Sequence, residues 1–216
     1  MISQSAIIYP GVELGENVQI SDFVVIGLPP RGYEEGQLIT EIGKNAVIRP
    51  HTVIYSGNKI GDNFETGVGV SIRELNEIGD NVSIGTHSII EHHIKIGNGV
   101  RIHSDVFIPE YSELKDNSWI GPCVVITNVL HPKCPEAKKC AKGAIIGENT
   151  IIGANVTILP DVTIADNCLI GSGSLITKSL NESGVYVGVP CKKIMEIKDL
   201  KCRYGLIDNP YFRGEK

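Results

Sequence analysis

The stretch that decides the fold runs from Ile78 to Ile126: IGDNVSIGTHSIIEHHIKIGNGVRIHSDVFIPEYSELKDNSWIGPCVVI. A step of six residues from Ile78 lands on Ile84, Ile90, Ile96, Ile102, Ile108, Leu114, Ile120 and Ile126. Traced backwards, the same step passes Ile72, Thr66, Ile60, Ile54 and Ile48 to reach Ile42, so 13 of 15 positions are Ile. A second run at this period covers Ile146, Ile152, Ile158, Ile164, Ile170 and Ile176, and a short third run opens the chain with Ile8, Leu14, Ile20 and Ile26. With the Ile taken as position one, position two is often Gly (Gly79, Gly85, Gly97, Gly121, Gly153) and position five is small or β-branched (Val82, Ser88, Val100, Val106, Ser118). Position four holds Asn, Gly, Asp or His (Asn81, His87, His93, Gly99, Asp105, Asn117). Those residue types tolerate the positive φ that a tight corner demands.

A period of six with a left-handed residue in each repeat describes a coil of short strands, turning a corner every six residues. Positions five and one sit two apart along a strand and point the same way, into the interior. Three hexads, 18 residues, complete one triangular turn, and successive turns stack at about 4.8 Å, the strand spacing. One coil cannot bury its own face, so the coils must stack. Composition agrees: 32 Ile and 19 Val stand against 12 Leu, with 24 Gly in 216 residues. Strands rather than helices follow from that balance.

Two insertions break the register, near residues 28–41 (LPPRGYEEGQLITE) and near 128–145 (NVLHPKCPEAKKCAKGAI). They are expected to project as loops from one edge, where binding residues gather. The repeat ends near Leu180, leaving a β-helix domain over residues 1–180 and a C-terminal part over 181–216. Residues 190–204 are read as a short helix followed by a tail that caps the last coil. The charge of −5 offers no basic face to nucleic-acid phosphates. No apolar run is long enough to span a membrane, and the N-terminus has no signal-peptide pattern. A cytoplasmic setting is the expectation, with the 6 Cys reduced.

The periodic pattern resembles the hexapeptide-repeat family, and the resemblance implies an all-β, left-handed parallel β-helix. That handedness comes from the family, since periodicity alone does not give it. The segment GENTIIGANVTILPDVTIADNCLIGSGSLITKSL, then VYVGVPCKK, resembles the closing coils of the acyltransferases in that family that use coenzyme A. The resemblance implies an acetyl-CoA co-substrate held between the subunits of a homotrimer, with Gly153, Ala154, Ser172, Thr177, Lys178 and Lys192 along the groove. Small residues permit close approach, and cations pair with phosphate oxygens. The run VRIHSDVFIPEYSELKDNSWIGPCVVITNVLHP is similar to N-acyltransferases of nucleotide-linked amino sugars in bacterial surface-glycan (O-antigen) pathways. It implies an acceptor amine near residues 103–110.

Stacking arithmetic supplies the catalytic candidates. His92 and Glu110 are 18 residues apart at position three, so they lie one above the other, and a carboxylate there raises imidazole basicity. His87 and Asp105 repeat the relation at position four, where the corner already asks for such residues. His103 and Ser104 lie between these pairs, and Glu113 is a weaker outlier. His131, in TNVLHP, is a separate candidate: that run resembles sugar O-acetyltransferases in which the His before Pro is the general base. His131, Cys134, Cys140 and Cys202 also form a Cys3His set suited to structural zinc, a use that competes with His131 as base. Cys168, at an interior position, reads as core. His51, His87 and His92 carry the spacing of a zinc site in gamma-type carbonic anhydrases, but sit one hexad position away from that pattern. A non-catalytic stacked scaffold is a third alternative.

Overall fold

A computed structural model describes residues 1–211. Nearly every hexad forms a strand of two to four residues, and the strands lie in three sheets. The first sheet has nine strands, from Ile7–Ile8 to Leu175–Ile176; the second has eight, from Val12–Leu14 to Thr163–Ile164. The third has ten, beginning at Gln19–Ile20. Pairing is parallel at a step of 18 residues, as in Ser71↔Ile89, Glu77↔Lys95 and Ser83↔Arg101. This is the three-sided parallel β-helix that the hexads specify, of the left-handed type.

The interior is made of the two expected positions. Ile48, Ile54, Ile72, Ile90, Ile108, Ile120 and Ile126 are fully buried, as are Ala46, Val82, Val100 and Val124. Thr66, the exception in the Ile series, meets the inward Thr52 hydroxyl at 3.2 Å and accepts the Arg49 N–H at 2.9 Å. Position four adopts the left-handed conformation: φ is 61° at Asn45, 58° at His87, 57° at His93 and 58° at Asp105. Position two is Gly because coils pass too closely for a side chain. A Cβ on Gly121 would lie 2.7 Å from the Ile152 oxygen and 2.8 Å from the Ala154 nitrogen.

Both insertions leave from the same corner. Each follows a strand of the first sheet (Val25–Leu28, Val125–Ile126) and returns to the second (Thr40–Ile42, Ile145–Ile146). Across them the paired residues are 28 and 32 apart instead of 18, as in Val12↔Thr40 and Glu113↔Ile145. The C-terminal segment corrects one expectation. Most of residues 190–204 is not helix: Gly184–Gly188 and Cys191–Met195 form an antiparallel hairpin that extends the third sheet. A 3-10 turn at Ile197–Asp199 is the helical part. The physical reason is the open edge of Cys168–Ile170, which offers unpaired backbone groups to a strand. Pro190 between Val187 and Cys191 favours a turn there. Residues 212–216 of the expected tail lie outside the described ones.

Candidate active site

The corner between the first and second sheets gathers chemistry from successive coils. Its stacked columns run Tyr55, Arg73, Glu91 and, beside them, Glu74, His92, Glu110, Asn128. His92 and Glu110 come together as the 18-residue arithmetic requires, with Nε2 3.7 Å from Oε1. The Asn128 amide donates to the other Glu110 oxygen at 2.6 Å. His92 Nδ1 lies 2.8 Å from His93 Nδ1, so one ring donates and the other accepts. Tyr111 packs edge-on against His92, 5.8 Å between ring centres.

Arg73 anchors the lower coil. It binds Glu74 with two nitrogens at 2.8 and 3.0 Å, reaches Glu91 at 3.6 Å and lies 4.8 Å above the Tyr55 ring centre. Burial pushes the Glu91 carboxyl up; Arg73 opposes that shift and the Glu110 charge adds to it. A buried pair of amides holds this coil in place. Asn58 and Asn76 both donate to the Arg73 carbonyl, at 2.7 and 2.8 Å, and Asn76 accepts the Ile94 N–H at 2.7 Å. Sequence reading missed Arg73, Glu91 and Asn128. The signal was available, because each sits one coil from a residue of the His92–Glu110 pair or its neighbour.

The other candidates are distributed. His87 and Asp105 approach to 3.9 Å with both side chains mostly exposed, at the corner between the third and first sheets. Ser104 is at that corner too, its carbonyl accepting the Cys123 N–H. His103 packs against Trp119 at a tilt of 55°, with ring centres 4.4 Å apart, and its Nε2 is buried without a hydrogen-bond partner among the described residues. Desolvation, then Arg101, pushes that imidazole down from its ordinary value. Glu113 is on a strand of the second sheet rather than at the corner that holds His92. His131 is exposed in the second loop, without an ion pair among the described residues.

The structure does not assemble the Cys3His set. Among the described residues no three His, Cys, Asp or Glu side chains are grouped to hold a metal ion. The reason is topological. His131, Cys134 and Cys140 belong to the loop at the first–second corner, whereas Cys202 belongs to the tail. The flanking tail residues Ile197, Pro210 and Tyr211 line a cleft with Arg101 and Trp119 on the third sheet, opposite that corner.

The six groove residues divide. Thr177, Lys178 and Lys192 line one cavity of about 620 Å³ beside the C-terminal hairpin. Gly153, Ala154 and Ser172 lie at the third–first corner, where the Ala154 N–H donates to the Ser172 hydroxyl at 3.1 Å. The family model described as "Bacterial transferase hexapeptide (six repeats)" matches residues 77–110 and 143–178. These two stretches lie on either side of the second loop and make up about a third of the chain.

Two solved structures share the fold of this chain. The UDP-N-acetylglucosamine acyltransferase of Arabidopsis is 16% identical, covers 91% of this chain and 74% of its own, and has a TM-score of 0.55. The Bacteroides fragilis UDP-N-acetylglucosamine acyltransferase is 20% identical over 90% of this chain and 74% of its own, TM-score 0.50. A galactoside acetyltransferase solved with coenzyme A is 29% identical over 69% of this chain and 66% of its own, TM-score 0.42. No curated protein matches the chain. No helix among the described residues is long and apolar enough to cross a membrane.

Proposed function

We propose that this chain transfers an acyl group, acetyl in our reading, from coenzyme A to an amine on a nucleotide-linked amino sugar in cytoplasmic surface-glycan synthesis. The observation that carries the reading is the His92–Glu110 pair at a corner that also carries Lys178, a cation suited to a phosphate. Lys178 and Thr177 stand on the same corner as His92, four coils further along, roughly 19 Å at the strand spacing. An extended pantetheine arm spans a distance of that order. Phosphates beside Lys178 and Lys192 would thus leave the thioester near His92 and Glu110.

In that arrangement the amine lone pair attacks the thioester carbonyl, a tetrahedral oxyanion forms, and the C–S bond breaks to release the thiolate. His92 takes the proton from the amine nitrogen and returns one to the thiolate, while Glu110 stabilises the imidazolium. Glu74, Glu91 and Glu110 outnumber Arg73 at this corner, which favours an acceptor that arrives as an ammonium and gives one proton to solvent before its lone pair attacks. His131 as base for a sugar hydroxyl has less support, because it has no carboxylate partner among the described residues. Ser104 and Asp105, with Gly153, Ala154 and Ser172, stand at the third–first corner of the same chain. A homotrimer packed through its first sheets would set that corner beside the first–second corner of a neighbour. The outer column of the first sheet supports such packing, being apolar at Val25, Val53, Ile89, Phe107, Val125 and Leu175.

The test is thiol release with acetyl-CoA and a panel of nucleotide sugars. Release should require both co-substrates and an amine on the sugar. Turnover with hydroxyl-only sugars and none with amino sugars refutes the N-acyl reading.

A further inference from the structure

The second loop begins at a residue with two bonds of different kinds. The Asn128 side chain donates to Glu110 Oε2 at 2.6 Å, and the Asn128 carbonyl accepts the Lys142 N–H at 2.9 Å. The second bond closes the base of the loop. Lys142 is tied in turn to the next coil, its carbonyl accepting the Asp161 N–H at 3.2 Å and its ammonium 3.1 Å from the Asp161 carboxylate. One residue therefore joins the loop base to the carboxylate that faces His92.

Glu110 has few other means of being held. Its first oxygen is 3.7 Å from His92 Nε2, beyond hydrogen-bond length. Glu91, on the coil below, repels it, and Arg73 is already engaged by Glu74 and Glu91. His93 and Tyr111 contact the His92 ring rather than the carboxylate. The Asn128 amide is thus the one hydrogen-bond donor fixing Glu110 among the described side chains.

We propose that Asn128 is a positioning residue: it orients Glu110 toward His92 and makes that orientation depend on the closed base of the second loop. The inference rests on the His92–Glu110 reading above. Asn128 does not touch the reacting atoms; it acts through Glu110. A hydrogen bond to a charged group is strong enough that its loss should be visible in turnover.

The experiment is a double-mutant cycle read by thiol release with acetyl-CoA and the best amino-sugar acceptor, kcat and KM being measured separately. N128L should lower kcat about tenfold and leave the KM for acetyl-CoA unchanged. In an E110Q background the same substitution should change kcat by less than twofold, because the group it acts through is already disabled. N128Q, which keeps the donor, should recover part of the loss, and its melting temperature beside that of N128L separates misfolding from misplacement. An equal kcat loss from N128L in both backgrounds overturns the inference, as does an N128L enzyme with unaltered kcat. H92A and E110Q enzymes with full activity would instead overturn the dyad reading itself, and the positioning role with it.

Discussion

Glu110→Gln is the most informative single substitution, because it removes one charge and preserves shape and the bond from Asn128. The Glu110 carboxylate stands 3.7 Å from His92 Nε2, with side chains 31% and 25% exposed. At that separation a unit-charge pair is worth about 1 kcal/mol in bulk water and about 4–5 kcal/mol at an effective dielectric of 20. Solvent at the corner screens the pair, so about 2 kcal/mol is the expected value. The ion pair forms only when His92 carries the substrate proton. Its loss therefore falls on the transition state and lowers kcat roughly thirtyfold. The assay is steady-state thiol release at saturating acetyl-CoA, with KM recorded for both co-substrates. A kcat within twofold of the parent refutes the role of Glu110. A change confined to KM shows instead that the carboxylate binds the acceptor in its ground state.

Lys178→Ala and Lys192→Ala should each raise the KM for acetyl-CoA about tenfold with kcat nearly unchanged, and added salt should weaken the parent's binding; kinetics at two ionic strengths check both. His103 resists protonation in the fold because of burial and Arg101. Below its unfolded value of about 6.5 unfolding takes up a proton, so stability should fall as pH drops from 7 to 5. His103→Phe keeps a ring against Trp119 and should flatten that fall in urea melts; an unaltered slope assigns it to other groups. Gly121→Ala should cost about 2–3 kcal/mol through backbone collision, whereas Gly173→Ala, with open space around its Cβ, should cost about 1 kcal/mol of left-handed strain. The reverse ranking in thermal melts would contradict the close passage of coils at position two.

The scaffold was legible because one period governs packing and backbone together. Ile84 and Val82 are inward for the same reason that Asn81 and His87 are left-handed, so each position of the hexad reports the others. His92–Glu110 and His87–Asp105 were legible as pairs through the 18-residue step. Legibility stopped where the period stopped. The hairpin of Gly184–Gly188 and Cys191–Met195 answers to an open sheet edge, which no repeat position records. Arg73 and Glu91 sit at position two, where the repeat usually holds Gly and no histidine marks the column, although Glu91 adjoins His92 and Arg73 lies one coil below. Cys202, in the tail, is expected from the sequence to reach the edge that carries the second loop, while the topology carries the tail to the opposite side of the triangle.

The stacking of Arg73, Glu91, Glu110 and Asn128 on successive coils makes chain length between them quantised. Removal of one residue between Glu91 and Glu110 would rotate everything downstream by a sixth of a side, sending Ile core positions outward and parting the dyad. Insertion of a whole 18-residue coil below Arg73 would leave the corner in phase and merely lengthen the prism. Such a molecule can gain or lose height by entire storeys, but within the storeys that hold the corner together it has no freedom to change by a single step.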